Sequence, residues 1–413
     1  MKLIYNIGLL ATPTGSSPRA GAAQGEITLL KNCWLTIGED GKVLAIGTGE
    51  PPRAEEAIDA GGRLVTPGLV DAHTHLVFGG WRAYELMQKL QGVPYLEILA
   101  SGGGILSTVR ATRSASRQAL KEKAAEALKE MLSFGTTTCE CKSGYGLDLC
   151  TELEQLRVVR ELETEQPVEL VSTYLGAHAL PEEYRQDREG YLKLITDRVI
   201  PAVAEEKLAE FCDVFCEEGV FTAREAEQVL RCGQAYGLGA KIHADEIHAI
   251  GGSQLAGSVG AVSAEHLIAA GEEEIRALAR GKVVAVLLPA TSFYLDKGFA
   301  RGRDMVSAGV PVAVATDFNP GSCPGLNLQL AMNLACWKYR LTPEEVLTAV
   351  TLNAAAAIGR AETVGTLEPG KQADLLIWDA GDLNYIFYRF GSNLVSRVIK
   401  KGKTVFTKER PYE

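Results

Sequence analysis

Residues 64–78 read LVTPGLVDAHTHLVF, and the reading of this stretch decides the fold. An apolar run leads into His73-Thr74-His75. Side chains two apart in an extended chain point the same way, so the two imidazoles can reach one metal ion. The pattern alone also suits polar residues where a strand exits. The chain has only six histidines, however, and His178, His243 and His266 also close apolar, β-like runs. That repetition favours a metal-centred hydrolase. His248 follows its run by four residues and reads as a loop or helix residue without a role.

Working outward, eight apolar runs qualify as strands: 64–75, 136–141, 169–177, 212–217, 240–244, 261–266, 283–288 and 311–316. Long amphipathic stretches separate them, such as 117–134 with Leu120, Ala124, Leu128, Met131 and Leu132 on one stripe. Eight strands alternating with helices, several continuously apolar, predict a parallel (β/α)8 barrel. A doubly wound sheet is the fallback, but the glycine-rich phosphate turn expected after its first strand is missing. Thr342-Pro343-Glu344-Glu345 reads as a capping box with proline at the first helical position.

Both ends are β-like. Residues 26–30 and 33–37 lead through Glu39-Asp40-Gly41-Lys42 into 43–46, a hairpin with a tight turn. Residues 365–367, 374–378, 394–400 and 403–407 read as further strands. The expected organisation is therefore 1–65 and 359–413 forming one composite domain around a barrel at 66–358.

Composition narrows the function. The chain has 413 residues, 46% hydrophobic and 23% charged, with a net charge of −10, which argues against nucleic acid and anionic membranes as partners. No stretch approaches the roughly 20 apolar residues of a membrane span. The apolar run in residues 1–10 is interrupted by Asn6 and carries no clear cleavage pattern. Nine scattered cysteines with no CxxC pair speak against a disulfide framework. A cytoplasmic location is expected.

Barrel active sites lie at the C-terminal ends of strands. His73 and His75 end strand one, and Tyr145 follows strand two. His178 ends strand three, His243 strand five, His266 strand six and Asp317 strand eight. Three imidazoles and a carboxylate suit zinc, or iron. Glu246 is placed to move a proton between water and a departing nitrogen, a task Asp317 can share. His266 and His178 are candidates to stabilise charge on the attacked carbonyl. Arg82 can hold a substrate carboxylate. Each has a plainer reading when taken singly: a core histidine, a turn cap at Asp317, a first-turn helix acid at Glu246, a structural arginine.

The signals PGLVDAHTHLVF, KIHADE, AEHL, ATDFNPG and GTLEPGKQADLLIWD resemble the amidohydrolase superfamily. Gly102-Gly103-Gly104-Ile105, KSGYGL at 142–147 and TDFNPG at 316–321 make the chain similar, over nearly its whole length, to the imidazolonepropionase family within it. That resemblance implies a TIM-like barrel with a β-sandwich built from both termini. It implies a hydrolase acting on a carbon–nitrogen bond of a cyclic amide in histidine breakdown, converting 4-imidazolone-5-propanoate to N-formimidoyl-L-glutamate. It implies one metal ion, divalent or trivalent, zinc or iron, on His73, His75, His243 and Asp317. It implies substrate contacts from Arg82, Tyr145, His178, Glu246, Asn319, Gly321 and Ser322, and a homodimer. Trp81 stands where a small residue is commoner, and Ser322-Cys323 replaces a Thr/Ser pair. A deaminase or cyclic amidase acting on another nitrogen heterocycle is the nearest rival, and a metal-free barrel used for assembly is the rival from another class.

Overall fold

A computed structural model describes residues 1–93, 97 and 102–409. Parts of the expected domains, 94–96, 98–101 and 410–413, lie outside the described residues. The N-terminal strands are β1 (Lys2–Thr12), β2 (Thr28–Ile37), β3 (Val43–Thr48), β4 (Glu56–Asp59) and β5 (Leu64–Pro67). The barrel strands are β6 (Leu69–Asp71), β7 (Thr136–Lys142), β8 (Glu169–Ala177), β9 (Phe211–Cys216), β10 (Gly239–Ala244), β11 (Ser263–His266), β12 (Val284–Leu287) and β13 (Val312–Val314). Near the C-terminus come β14 (Leu375–Trp378), β15 (Val395–Lys400) and β16 (Lys403–Thr407).

β6 to β13 pair in sequence order, every neighbour parallel. A bridge from Thr74 to Phe318 brings the first and last strands together just beyond their ends, so the sheet is a nearly closed barrel. Helices pack outside it as the amphipathic stripes predict. Arg117–Ser133 buries Leu120, Ala124, Ala127, Leu128, Met131 and Leu132, and Ser116 caps it by accepting from Ala119 N at 3.2 Å. Thr342 and Glu345 form the expected capping box. The helix Leu352–Ala357 packs against β6, β12 and β13 and joins Val70, Val284, Val286 and Ala313 in one apolar cluster.

The other sheet runs β16-β15-β14-β5-β1-β2-β3, with β4 also on β1. Its two wings share one core, where Ile7 and Leu35 meet Leu375, Ile377 and Ile399. The two terminal segments are thus halves of a single hydrogen-bonded sheet.

Three strand readings need correction. The run 64–75 is not one strand. It breaks at Gly68 into β5, which pairs with β14, and β6, which pairs with β7. Gly68 passes so close to Thr137 that a β-carbon would overlap its side chain, and Gly68 N–H donates to Asp374 O in the other sheet at 2.9 Å. Residues 26–37 do not form two arms. Thr28–Ile37 is one strand, and the hairpin closes onto β3 through Gly41 at φ 76°. Residues 365–367 are not a strand, and Gly365 there takes φ 88°. Asn6, which breaks the first apolar run, sits at φ 53° in the bulge of β1.

Replacing Gly68 with alanine forces Thr137 out of the seam between the two sheets. Overpacking of this kind costs about 1–3 kcal/mol, read as a lower urea midpoint. An unchanged midpoint would show that Thr137 rotates away freely.

Candidate active site

His73 and His75 lie just past β6, where each second side chain still faces the barrel axis. Their backbone is held from both sides. Lys142 N–H donates to Thr74 O at 2.9 Å, Asp317 N–H to His73 O at 3.0 Å, and His75 N–H to Phe318 O at 2.8 Å. His243 is the penultimate residue of β10, and Asp317 follows β13 by three residues. These four side chains are buried, none more than 3% exposed.

The imidazoles converge. His73, His75 and His243 each bring a ring nitrogen within 4.8 Å of the others, and His73, His266 and Asp317 form a second such group. Asp317 Oδ1 lies 3.5 Å from His73 Nε2 and 3.6 Å from His75 Nε2. Thr291 Oγ1 donates to Asp317 Oδ2 at 2.6 Å, which leaves Oδ1 for the cage. Asp213 Oδ2 lies 3.0 Å from His243 Nδ1, so the proton stays on Nδ1 and the Nε2 lone pair points inward. Among the described residues, both ring nitrogens of His73 and the Nε2 of His243 lack a hydrogen-bond partner. Orphaned polar atoms in a dry site are costly unless something satisfies them. The set fits a single borderline metal ion on chemical grounds, three imidazole nitrogens and one carboxylate oxygen.

Burial and neighbouring charges set the protonation of these rings. Burial pushes the pKa of His73 and His75 well below the usual histidine value, leaving their lone pairs free. His266 is pushed down to about 4, chiefly by burial. His243 moves the other way: burial opposes its charged form, but Asp213 beside it outweighs that.

Glu246 is 18% exposed and faces His266, with Oε2 3.6 Å from Nε2. Burial pushes its pKa up to about 7, a value suited to exchanging protons near neutral pH. His75, Tyr145, His178, His243, Glu246, His266, Asp317, Asn319 and Ser322, together with Phe215, line one cavity of about 280 Å³. Arg82 and Gly321 stand at its rim. The Arg82 guanidinium lies directly over Gly321, leaving no room for a side chain there.

The hydrogen bonds of two expected site residues bear on what they can do. His178 Nδ1 is 3.0 Å from Gly144 O. A carbonyl only accepts, so Nδ1 carries the proton and Nε2 is an acceptor in the neutral ring. Burial holds that ring neutral, with its pKa down to about 3. His178 is therefore unsuited to stabilising negative charge on a carbonyl and suited to receiving a substrate N–H. Asn319 lines the cavity, but its amide already serves its own loop: Oδ1 accepts from Gly321 N at 2.8 Å and Ser322 N at 2.7 Å, and Nδ2 donates to Asp317 O at 2.7 Å. His248 lies in a loop, 55% exposed, with Nδ1 2.9 Å from Glu217 Oε1.

The sequence reading missed the groups that hold these residues. Asp213 had a visible signal, an acid inside the apolar strand FCDVFC. Glu152 looks like an ordinary first-turn helix acid, yet Oε1 accepts from Gly146 N and Leu147 N at 2.8 Å and Oε2 from Gly144 N at 3.1 Å, shaping the turn that presents Tyr145. Thr291 carried no signal. Trp81 is half exposed and packs edge-on against Phe78 at 5.0 Å.

The model for the amidohydrolase family matches residues 64–405. An imidazolonepropionase from Alkaliphilus metalliredigens (strain QYMF) is 50% identical over 416 residues, covering 99% of this chain and 98% of the relative. One from Bacillus velezensis is 49% identical over 411 residues, covering 98% and 97%. Among solved structures, an atrazine chlorohydrolase from Arthrobacter aurescens TC1 complexed with zinc superposes with a TM-score of 0.76 at 19% identity, covering 100% of this chain and 96% of that one. A 5-methylcytosine deaminase from Klebsiella pneumoniae, liganded with phosphonocytosine, superposes with a TM-score of 0.75 at 19% identity, covering 100% and 99%. At that identity the structural likeness speaks for the fold. The chain belongs to the amidohydrolase family and, within it, to the imidazolonepropionase family.

Proposed function

We propose that this chain opens the ring of 4-imidazolone-5-propanoate with water, giving N-formimidoyl-L-glutamate in histidine degradation. The observation that carries the reading is the cage of three imidazoles and Asp317 with Glu246 facing it, in a chain half identical to imidazolonepropionases. His73, His75, His243 and Asp317 hold one ion, zinc or iron. Zinc is favoured by the donor set and by its presence in the related chlorohydrolase structure. When bound, the ion supplies Lewis acidity that acidifies water and polarises a carbonyl.

The chain's own groups do the rest. Glu246, as carboxylate, takes a proton from the attacking water while the hydroxyl joins the carbonyl carbon. The same proton is delivered to the ring nitrogen as its bond to that carbon breaks, so the balance needs no further reactant. His266, uncharged at neutral pH, donates a hydrogen bond to the developing oxyanion, and Asp317 can share the proton. His178 Nε2 receives a ring N–H. Arg82 and Tyr145 bind the propionate, and Gly321 and Ser322, braced by Asn319, form the wall beside it.

The domain limits we assign are 1–65 and 359–413 for the sandwich and 66–358 for the barrel. Among the described residues no helix is long and apolar enough to cross a membrane. All nine cysteines are free, which supports a reducing, cytoplasmic setting. Exposed Trp337, Tyr388 and Phe390, on or beside two helices that pack together, offer an apolar face for a homodimer.

His73→Ala or His243→Ala should lower the metal content of the purified protein and abolish turnover, and full activity in metal-free preparations would refute the cage. Glu246→Gln removes the acceptor while keeping shape, so metal content should survive while the rate falls about 10²–10⁴-fold. The wild-type profile of kcat/KM should lose activity as pH falls through about 7, because protonation disables the raised carboxylate of Glu246, and this limb should vanish in the variant. Arg82→Lys keeps the charge but loses the fork. It should weaken kcat/KM on the propionate substrate by roughly 10- to 150-fold, the worth of a charge-assisted bond. The same ring bearing ethyl in place of propionate should be unaffected.

A further inference from the structure

Beneath the rim arginine lies a charge cluster that the reaction as described leaves without a role. The short helical segments Ala83–Glu85 and Leu86–Leu90 place Arg82, Glu85 and Lys89 on one face at helical spacing. Glu85 is 1% exposed. Its Oε1 accepts from Gly104 N at 2.7 Å. Among the described residues its Oε2 has no hydrogen-bond partner; it lies 3.4 Å from Lys89 Nζ and 3.8 Å from Arg82 Nε, which likewise has none among them. Lys89 Nζ donates to Gly321 O at 2.8 Å, the residue on which the Arg82 guanidinium rests. Gly321 sits between Asn319 and Ser322 of the cavity wall.

Two cations share one buried acid, so one positive charge is left over at the rim. Lys89 is the nearer partner of Glu85, and the residual charge therefore falls on Arg82. Without Lys89, Glu85 would neutralise Arg82 and an incoming carboxylate would have to compete with it. We propose that Lys89 determines specificity for anionic substrates: it occupies Glu85, leaves the Arg82 charge free for a carboxylate, and fixes Gly321 under the guanidinium. This inference rests on the propionate reading above.

A charge-balance cycle tests it on the metal-loaded enzyme. Lys89→Met should raise KM for 4-imidazolone-5-propanoate about tenfold or more, the worth of a charge-assisted contact, with a much smaller change in kcat. Adding Glu85→Gln restores the single positive charge and should recover most of that loss. A purely structural role for Lys89 at Gly321 would show no such rescue. The ring bearing ethyl should be turned over equally by wild type, single and double variants, which also reports that each variant folds. Wild-type enzyme with no preference for the propionate over the ethyl ring overturns the substrate reading and the inference with it. A clear wild-type preference that survives Lys89→Met, or a double variant no better than the single, overturns the inference alone.

Discussion

The barrel closes where His73 meets Asp317. Asp317 N–H donates to His73 O, and His75 N–H donates to Phe318 O. Just below, Asp71 accepts from Thr316 N at 3.1 Å and Thr316 Oγ1 at 2.6 Å. On the other side, Thr74 Oγ1 donates to Glu140 O at 2.6 Å. The His-Thr-His segment is thus pinned between β7 and the chain after β13, and the seam that completes the cylinder also assembles the cage. Side chains alternate with period two, so a slip of one residue here would turn both imidazoles away from the axis. Asp317 and His266 hold backbone at φ 56° and 70°. Such conformations cost about 1–3 kcal/mol each and persist where surrounding contacts over-determine them.

Below the cage the barrel interior is ionic. Lys142 Nζ lies 2.8 Å from Asp213 Oδ2 and 3.0 Å from Glu140 Oε2, and Lys241 Nζ lies 2.6 Å from Glu140 Oε1 and 3.6 Å from Glu265 Oε1, all of them fully buried. Burying a pair is seldom a net gain, but removing one partner of a buried pair costs about 3–5 kcal/mol. The network therefore locks its members to one another. Burial works against the Lys142 charge, yet Asp213 and Glu140 hold it firmly protonated. Asp213 is the member that reaches upward, to His243 Nδ1. Rigidity in the core is passed to one imidazole of the cage through that single carboxylate.

The strand count, the parallel order and the six mouth residues ending strands were legible because each is a local pattern: an apolar run, a helical stripe, a polar residue at the run's end. The break at Gly68 was not. A continuous apolar run is what a strand buried on both faces looks like, and a run serving two sheets in turn looks the same. Only the neighbour Thr137, 69 positions later, reveals why glycine must stand there. The tautomer of His178 was equally hidden, since it depends on Gly144 O delivered by another loop. The ionic interior was hidden as well, because the partners of Lys142 and Lys241, Asp213 and Glu140 respectively, stand on strands far away in the sequence.

Three residues around the mouth share a way of holding loops. Glu152 collects the backbone N–H groups of Gly144, Gly146 and Leu147 around Tyr145. Glu217 collects those of Ile247 and His248 directly after Glu246. Asn319 collects Gly321, Ser322 and Cys323. In each case one buried acceptor satisfies several donors that would otherwise face a dry interior. The loops that carry the chemistry are thereby stiffened without surrendering their outward side chains to packing. Reactive groups need placement to about half an ångström, and loops left to solvent do not give it. At this mouth that placement comes from Glu152, Glu217 and Asn319, none of which needs to touch the reacting atoms.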